Sequence, residues 1–204
     1  MIKNIIFDLG NVVLKLKWEI VINRFAKNDE EKSLFKKFIF DSKEWEELDA
    51  GTISEENAIK SMQQNLPEHL HSTCKEIMNT WTDGLVINYE MLNFIEKLKE
   101  LGYKTYVLSN APLTIPPFLK KNDLNKYFDG EVISAEIKLV KPQKEIYEYI
   151  LKEFSLDASE SFFIDDRKEN IDAAKSLNIN GHVFDYNNFN ALLEELEKYN
   201  VKIN

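Results

Sequence analysis

The chain has 204 residues, a formal net charge of −9 and a pI near 5.0, with 44% hydrophobic and 30% charged residues. That length suits one domain, or a core with a small insertion, and the composition suits a packed soluble protein rather than a disordered one. The acidic balance argues against nucleic acid or an anionic membrane surface as partner, so a phosphate site here must be made by local positive charge, backbone N–H groups or a metal. The single cysteine, Cys74, excludes an internal disulfide, lacks the glycine-rich surroundings of a papain-type nucleophile and fits a reducing compartment. The N-terminal apolar run is broken by Asp8, is too short to span a bilayer and has no small-residue cleavage site, so the expected location is the cytoplasm.

The first element is a short apolar strand, Ile5-Ile6-Phe7, that ends in Asp8-Leu9-Gly10-Asn11. A carboxylate at the end of such a run is costly to bury alone, so Asp8 either caps a turn or meets a metal or a substrate. From about Lys15 to Trp81 strand signals are absent. Trp18, Ile22 and Phe25 recur at helical spacing, as do Leu34, Phe35, Phe38 and Ile39. Asp41 or Ser42 can cap the next helix, Asp49-Ala50-Gly51-Thr52 reads as a stop and turn, and Ser54 opens another helix that Pro67 ends. A last helix in this block covers about Leu70 to Trp81.

From Asn88 onward helices and strands alternate. A helix through Met91, Leu92, Ile95 and Leu98 stops at Gly102, and Tyr103–Leu108 is a strand that ends in Ser109-Asn110. Phe118–Leu124 reads as helix, Glu131–Ser134 as strand, and Pro142 as the start of a helix carrying Ile146, Tyr149 and Ile150. Ser161–Ile164 is a strand running into Asp165-Asp166; a helix, the strand Gly181–Phe184 and a final helix through Leu192 and Leu196 complete the chain. Strands joined by helical crossovers predict an α/β fold with a Rossmann-like parallel sheet covered on both faces, whose ligand site lies at the carboxyl ends of the strands. The expected division is a core of residues 1–14 and 83–204 with an inserted α-helical cap at 15–82.

Four polar groups then fall at one edge of the sheet: Asp8, Ser109-Asn110, Lys141 and Asp165-Asp166. Each has an ordinary alternative. Asp165-Asp166 could be an N-cap pair, Lys141 a solvated lysine and Ser109 a turn serine. Together they suit phosphoryl transfer. Three carboxylates in one pocket call for a cation, and hard oxygen ligands beside a phosphate suit Mg²⁺. Ser109, Asn110 and Lys141 could bind phosphate oxygens, and Asp8 could attack phosphorus to give an aspartyl-phosphate.

These motifs resemble those of the haloacid dehalogenase-like hydrolase superfamily: "FDLGNVV", "VLSN", Lys141-Pro142 and "FFIDDRKENIDAA", in that order. The helical insertion resembles its C1-type cap. "SKEWEELDAGTISEENA" is similar to the cap of the branch containing α-glucose-1-phosphate phosphatase-like proteins and the amino-terminal phosphatase domain of soluble epoxide hydrolases. The resemblance implies a Mg²⁺-dependent phosphatase acting on a small phosphorylated metabolite. It makes Asp8 the nucleophile and Lys141 its catalytic partner. Asp8, the Gly10 carbonyl, Asp165 and Asp166 become the metal site, with Ser109, Asn110 and Lys141 on the phosphate. Asn170 orients the last motif or lies on a helix surface.

The sequence departs from the family pattern at Gly10, where a second Asp serves as general acid and base. That favours sugar-1-phosphates, acyl phosphates or aryl phosphates, whose leaving groups need little protonation, over alkyl monoesters. It also leaves open a non-catalytic phosphate-binding protein. Candidate substrate contacts on the cap are Trp18, Arg24, Trp45, Asp49 and the Ala50-Gly51 turn, although Trp18 and Trp45 at helical spacing also suit a core and Arg24 could pair with a Glu on a neighbouring helix. The expected partner is the metabolite alone, with no nucleic acid or membrane, and the expected state a monomer or weak homodimer.

Overall fold

In the computed structural model, which describes residues 1–201, the first apolar run forms strand β1 (Asn4–Phe7) at the centre of a five-stranded sheet. The other strands are β2 (Leu14–Leu16), β3 (Leu85–Ile87), β4 (Lys104–Ser109), β5 (Gly130–Ile133), β6 (Ser161–Asp165) and β7 (Asn180–Val183). The sheet order is β5-β4-β1-β6-β7 and every pair in it is parallel, with Phe7 level with Val107 on one side and Ile164 on the other. Successive side chains alternate between the faces. Ile5 and Phe7 join Val107, Phe162 and Ile164 in one core cluster, while Ile6 joins Tyr106, Leu108 and Phe163 in another. Both faces are therefore apolar, which is why the strand reads as a continuous hydrophobic run. The chain lays β4 and β5 on one side of β1 and returns to lay β6 and β7 on the other. The carboxyl ends of β1, β4 and β6 thus flank the point where the strand order reverses, where a crevice opens.

A strand exists where none was expected: β2 pairs antiparallel with β3, Leu14 opposite Ile87 and Leu16 opposite Leu85. The run is three residues long, too short to produce a readable alternation. This ribbon is the stem through which the chain leaves the sheet and returns. Between its strands lie α1 (Trp18–Phe25), α2 (Asp29–Phe35), α3 (Lys43–Asp49), α4 (Glu55–Gln64) and α5 (His71–Thr80), with a π turn at Lys36–Phe40. Asn28, Ser42 and Ser54 cap α2, α3 and α4 by accepting the backbone N–H of Glu31, Trp45 and Asn57. The five helices enclose a core of their own that includes Val21, Ile22, Phe35, Ile39, Met62, Cys74 and Ile77.

The remaining helices are α6 (Tyr89–Glu100), α7 (Ile115–Lys121), α8 (Ser134–Ile137), α9 (Lys144–Glu153), α10 (Lys168–Ser176) and α11 (Phe189–Lys198). Helices α6 and α11 cover one face of the sheet, α9 and α10 the other. Three boundaries differ from the sequence expectation. Helix α7 starts three residues early because Pro116 and Pro117 fit its first turn, where no backbone N–H is needed. Strand β5 stops at Ile133 and Ser134 opens α8. Pro142 lies two residues before α9, whose N-cap is Gln143, so it closes the preceding loop rather than starting the helix. The last three residues of the expected core, 202–204, lie outside the described residues.

The helical block meets the sheet domain at the turn after α3. Gly51 has φ +66°, and a Cβ there would lie 2.2 Å from the Ala135 carbonyl oxygen. Gly102 also has positive φ, at +89°, but a Cβ there meets nothing within 4 Å. Gly51→Ala is therefore expected to destabilise the protein by more than Gly102→Ala, which carries only the backbone strain of about 1 kcal/mol. Urea unfolding of the two variants checks this.

Candidate active site

The residues flagged by the sequence converge at the crevice. Asp8 follows β1, Ser109 ends β4, Asp165 ends β6, and Lys141 reaches in from the loop before α9. Asp8 is buried, with 9% of its side chain exposed, and its two carboxylate oxygens differ sharply. Oδ1 accepts the Leu9 N–H at 2.7 Å and the Ser109 hydroxyl at 2.7 Å, and pairs with the Lys141 ammonium at 2.9 Å. Oδ2 receives no hydrogen bond from any described residue. It looks toward Gly10, where a Cβ would stand 3.8 Å away.

Lys141 is buried and fully committed. Its ammonium donates to Asp165 Oδ2 at 2.7 Å and to the Leu108 carbonyl at 3.0 Å, besides pairing with Asp8. Its ring neighbour is Phe163, with Nζ 5.3 Å from the centroid. The Lys141 backbone is gripped by the Asn110 amide, which donates to its carbonyl at 2.9 Å and accepts its N–H at 2.8 Å. Asn110 thus positions Lys141 while lining the cleft. Asp165 is saturated: Arg167 N–H and Asn170 Nδ2 donate to Oδ1 at 2.8 and 2.9 Å, and Asn170 also reaches Oδ2 at 3.0 Å. Asn170 is 2% exposed, so it is no surface residue, and the Tyr147 hydroxyl fixes its backbone by donating to its carbonyl at 2.9 Å. Asp166 is half-buried and accepts from Asn11 Nδ2 at 2.9 Å. Asn11 makes that reach from a left-handed conformation, φ 54°.

The charges are out of balance. Asp8, Asp165 and Asp166 each place an oxygen within 4.8 Å of the others, and Lys141 is the ammonium among them. Burial pushes the Asp8 carboxyl up to about 6, and Asp165 adds to this against the opposing pull of Lys141 and Ser109. Burial also raises Asp166. Burial works against the Lys141 charge too, but Asp8 and Asp165 outweigh it and hold the ammonium above the usual lysine value. A divalent cation fits this donor set: it is all oxygen, excessively anionic and open on the Asp166 side.

A cleft of about 540 Å³ lies above these groups, lined by Asp8, Gly10, Asn110, Lys141 and Asp166 below and by Lys43, Glu46, Asp49 and Ala50 of the helical block above. Beside it is a mostly apolar chamber of about 160 Å³. Leu14, Leu16, Leu85 and Ile115 line it, with Trp45 and Trp81 stacked edge to face at 5.0 Å, and it opens toward Gly10, Ser109 and Asp49. Of the expected cap contacts, Asp49, Ala50 and Trp45 line these spaces. Trp18 instead packs into the helical core, and Arg24 pairs with Asp83 at 2.6 Å on the surface. Ser134 carried no readable signal. Its hydroxyl donates to the Asp49 carbonyl and accepts the Ala111 N–H at 2.9 Å, joining the helical block to the sheet. A serine at a strand end looks the same in sequence whatever it bonds.

The family described as haloacid dehalogenase-like hydrolase matches residues 2–178, and the chain belongs to that family. It is a hydrolase with that family's α/β fold. It is 29% identical to the sesquiterpene phosphatase astK of Aspergillus oryzae, over 88% of each chain. It is 28% identical to the D-ribitol-5-phosphate phosphatase of Bacteroides thetaiotaomicron, over 87% of this chain and 89% of that one. A crystal structure of a haloacid dehalogenase family enzyme from Bacteroides thetaiotaomicron, in complex with magnesium and inorganic phosphate, superposes with a TM-score of 0.71 and 26% identity, covering 91% of this chain and 96% of that one. Among the described residues no helix is long and apolar enough to cross a membrane.

Asp49 has a measurable signature. Burial, then the charges of Asp8 and Glu46, push its carboxyl up to about 8. A carboxyl that holds its proton longer when folded than when unfolded favours folding less as pH rises from about 4 through about 8. In EDTA at pH 8, Asp49→Asn is therefore expected to be more stable than the parent by about 1–3 kcal/mol, discounted for partial exposure. The gap should close at pH 4. Urea unfolding at the two pH values reads both.

Proposed function

We propose that the protein is a Mg²⁺-dependent phosphatase of a small phosphorylated metabolite, working through an aspartyl-phosphate on Asp8. The observation that carries this is the asymmetry of the Asp8 carboxylate. Three donors hold Oδ1 while Oδ2 faces the cleft without one, which fixes the carboxylate where a metal and a phosphoryl group could both meet it. Asp8, Asp166 and the Gly10 carbonyl would hold the metal, with Asp165 ordering the site through Lys141 and Asn170 and meeting the metal directly or through water. When bound, Mg²⁺ would neutralise charge on the phosphoryl oxygens and keep Asp8 ionised at neutral pH.

In this reading an Asp8 oxygen attacks phosphorus in line with the departing ester oxygen. Ser109 and Lys141 hold the Asp8 carboxylate, the Lys141 charge offsets that of the phosphoryl oxygens, and the Asn110 grip on the Lys141 backbone fixes the ammonium beside Asp8. The magnesium and phosphate bound to the structurally similar Bacteroides enzyme support the ligand class. The apolar chamber is the natural seat for part of the leaving group. It favours esters whose carbon portion is compact and apolar or aromatic, and the similarity to a sesquiterpene phosphatase points the same way.

Phosphate release from a panel of sugar, aryl and isoprenoid phosphates tests the reading. EDTA and Asp8→Asn should each reduce turnover by at least about 10³-fold, and added Mg²⁺ should restore only the first. Activity that survives both treatments would overturn it. Trp45→Ala should raise KM for aryl and isoprenoid esters more than for sugar phosphates, and an equal effect on all would remove the chamber from the leaving-group path.

A further inference from the structure

Gly10 leaves the reaction without a proton carrier where the family pattern has an Asp, and the structure leaves room there. Nothing but Asp8 Oδ2, at 3.8 Å, lies within 4 Å of a Cβ at that position. The opposite wall of the same space belongs to the helical block. Asp49, the last residue of α3, lines both the cleft above Asp8 and the apolar chamber beside Gly10 and Ser109. Its carboxyl makes no hydrogen bond or ion pair with any described residue. Its backbone is pinned, with the carbonyl held by the Ser134 hydroxyl and the Gly51 turn in contact with Ala135. Neighbouring acids are less suited. Glu47 pairs with Lys43 at 2.8 Å, and Glu46 is exposed.

We propose that Asp49 is the proton donor and acceptor of the reaction, delivered from the helical block to the place that Gly10 leaves open. The proposal rests on the phosphatase reading above. In the first half-reaction an Asp8 oxygen bonds to phosphorus, the phosphorus–ester oxygen bond breaks, and the leaving oxygen takes the proton of the Asp49 carboxyl. In the second the Asp49 carboxylate takes a proton from water as the water oxygen bonds to phosphorus. The bond to Asp8 breaks, phosphate leaves, and both carboxyls return to their starting states. The raised Asp49 pKa, about 8, is compatible with a group that begins protonated at neutral pH.

The test compares an alkyl phosphate with 2,4-dinitrophenyl phosphate, whose leaving group needs no proton. Asp49→Asn should lower kcat/KM for the alkyl ester by about 10²–10⁴-fold and for the dinitrophenyl ester by less than about 10-fold. With the dinitrophenyl ester the variant should release one equivalent of dinitrophenol in a burst, because breakdown of the aspartyl-phosphate has lost its base. That burst also reports that the variant is folded. Adding Gly10→Asp to Asp49→Asn should recover at least about 10-fold on the alkyl ester. Equal losses on both esters, or no loss on either, would overturn the role of Asp49. Failure of the unaltered protein to turn over either ester would instead overturn the phosphatase reading, and this proposal with it.

Discussion

One ammonium holds the site together. Lys141 lies 4% exposed between two buried carboxylates, within 3.0 Å of both, and donates its remaining hydrogen to the Leu108 carbonyl. Removing one partner from such a buried arrangement costs about 3–5 kcal/mol, because the other charge is left uncompensated. The order around it follows from this. Asn110 clamps the Lys141 backbone, Asn170 saturates Asp165, and Tyr147 holds Asn170. Each layer keeps the ammonium where it can face Asp8. The arrangement remains one positive charge short. Asp166 adds a third carboxylate whose polar partner is the neutral Asn11 amide. Excess negative charge beside an oxygen-lined opening is what a divalent cation and a phosphate would share.

The sheet and its chemical edge were legible in sequence because each strand is a short apolar run with a polar terminus. Asp8, Ser109 and Asp165 sit where the strands of a parallel sheet end, and period-2 alternation between two buried faces explains the unbroken hydrophobicity of Ile5-Ile6-Phe7. The helical block was legible from 3.6-residue spacing and from Ser42 and Ser54 as caps. What escaped was long-range. The β2–β3 ribbon joins residues about seventy positions apart through two three-residue strands, and pairing at that distance leaves no local pattern. The clamp of Asn110 on the Lys141 backbone also escaped, because its motif position says nothing about the loop it holds. Trp18 was open to both a pocket and a core reading because helical spacing shows that a side chain faces a core, not which core, and the Arg24 pairing with Asp83, 59 residues away, leaves no local pattern.

The junction between block and sheet joins these two levels. Helix α3 ends in Asp49 and the turn after it carries Gly51, and both are tied to the segment after β5, Asp49 through its carbonyl and Gly51 through the absence of a side chain. The same Ser134 hydroxyl takes the N–H of Ala111, two residues beyond Ser109 on the strand that supplies a hydrogen bond to Asp8. A rigid path of three hydrogen-bonded or packed contacts therefore runs from the wall above the cleft to the nucleophile below it. Such a path matters because a misplacement of about 1 Å in a reacting group can cost about 10²-fold in rate. The helical block does more than cover the cleft: its position is referenced to the same strand end that orients Asp8. A carboxyl carried on that turn starts from a backbone position tied to the sheet, which is what the role proposed for Asp49 requires where position 10 has no carboxyl.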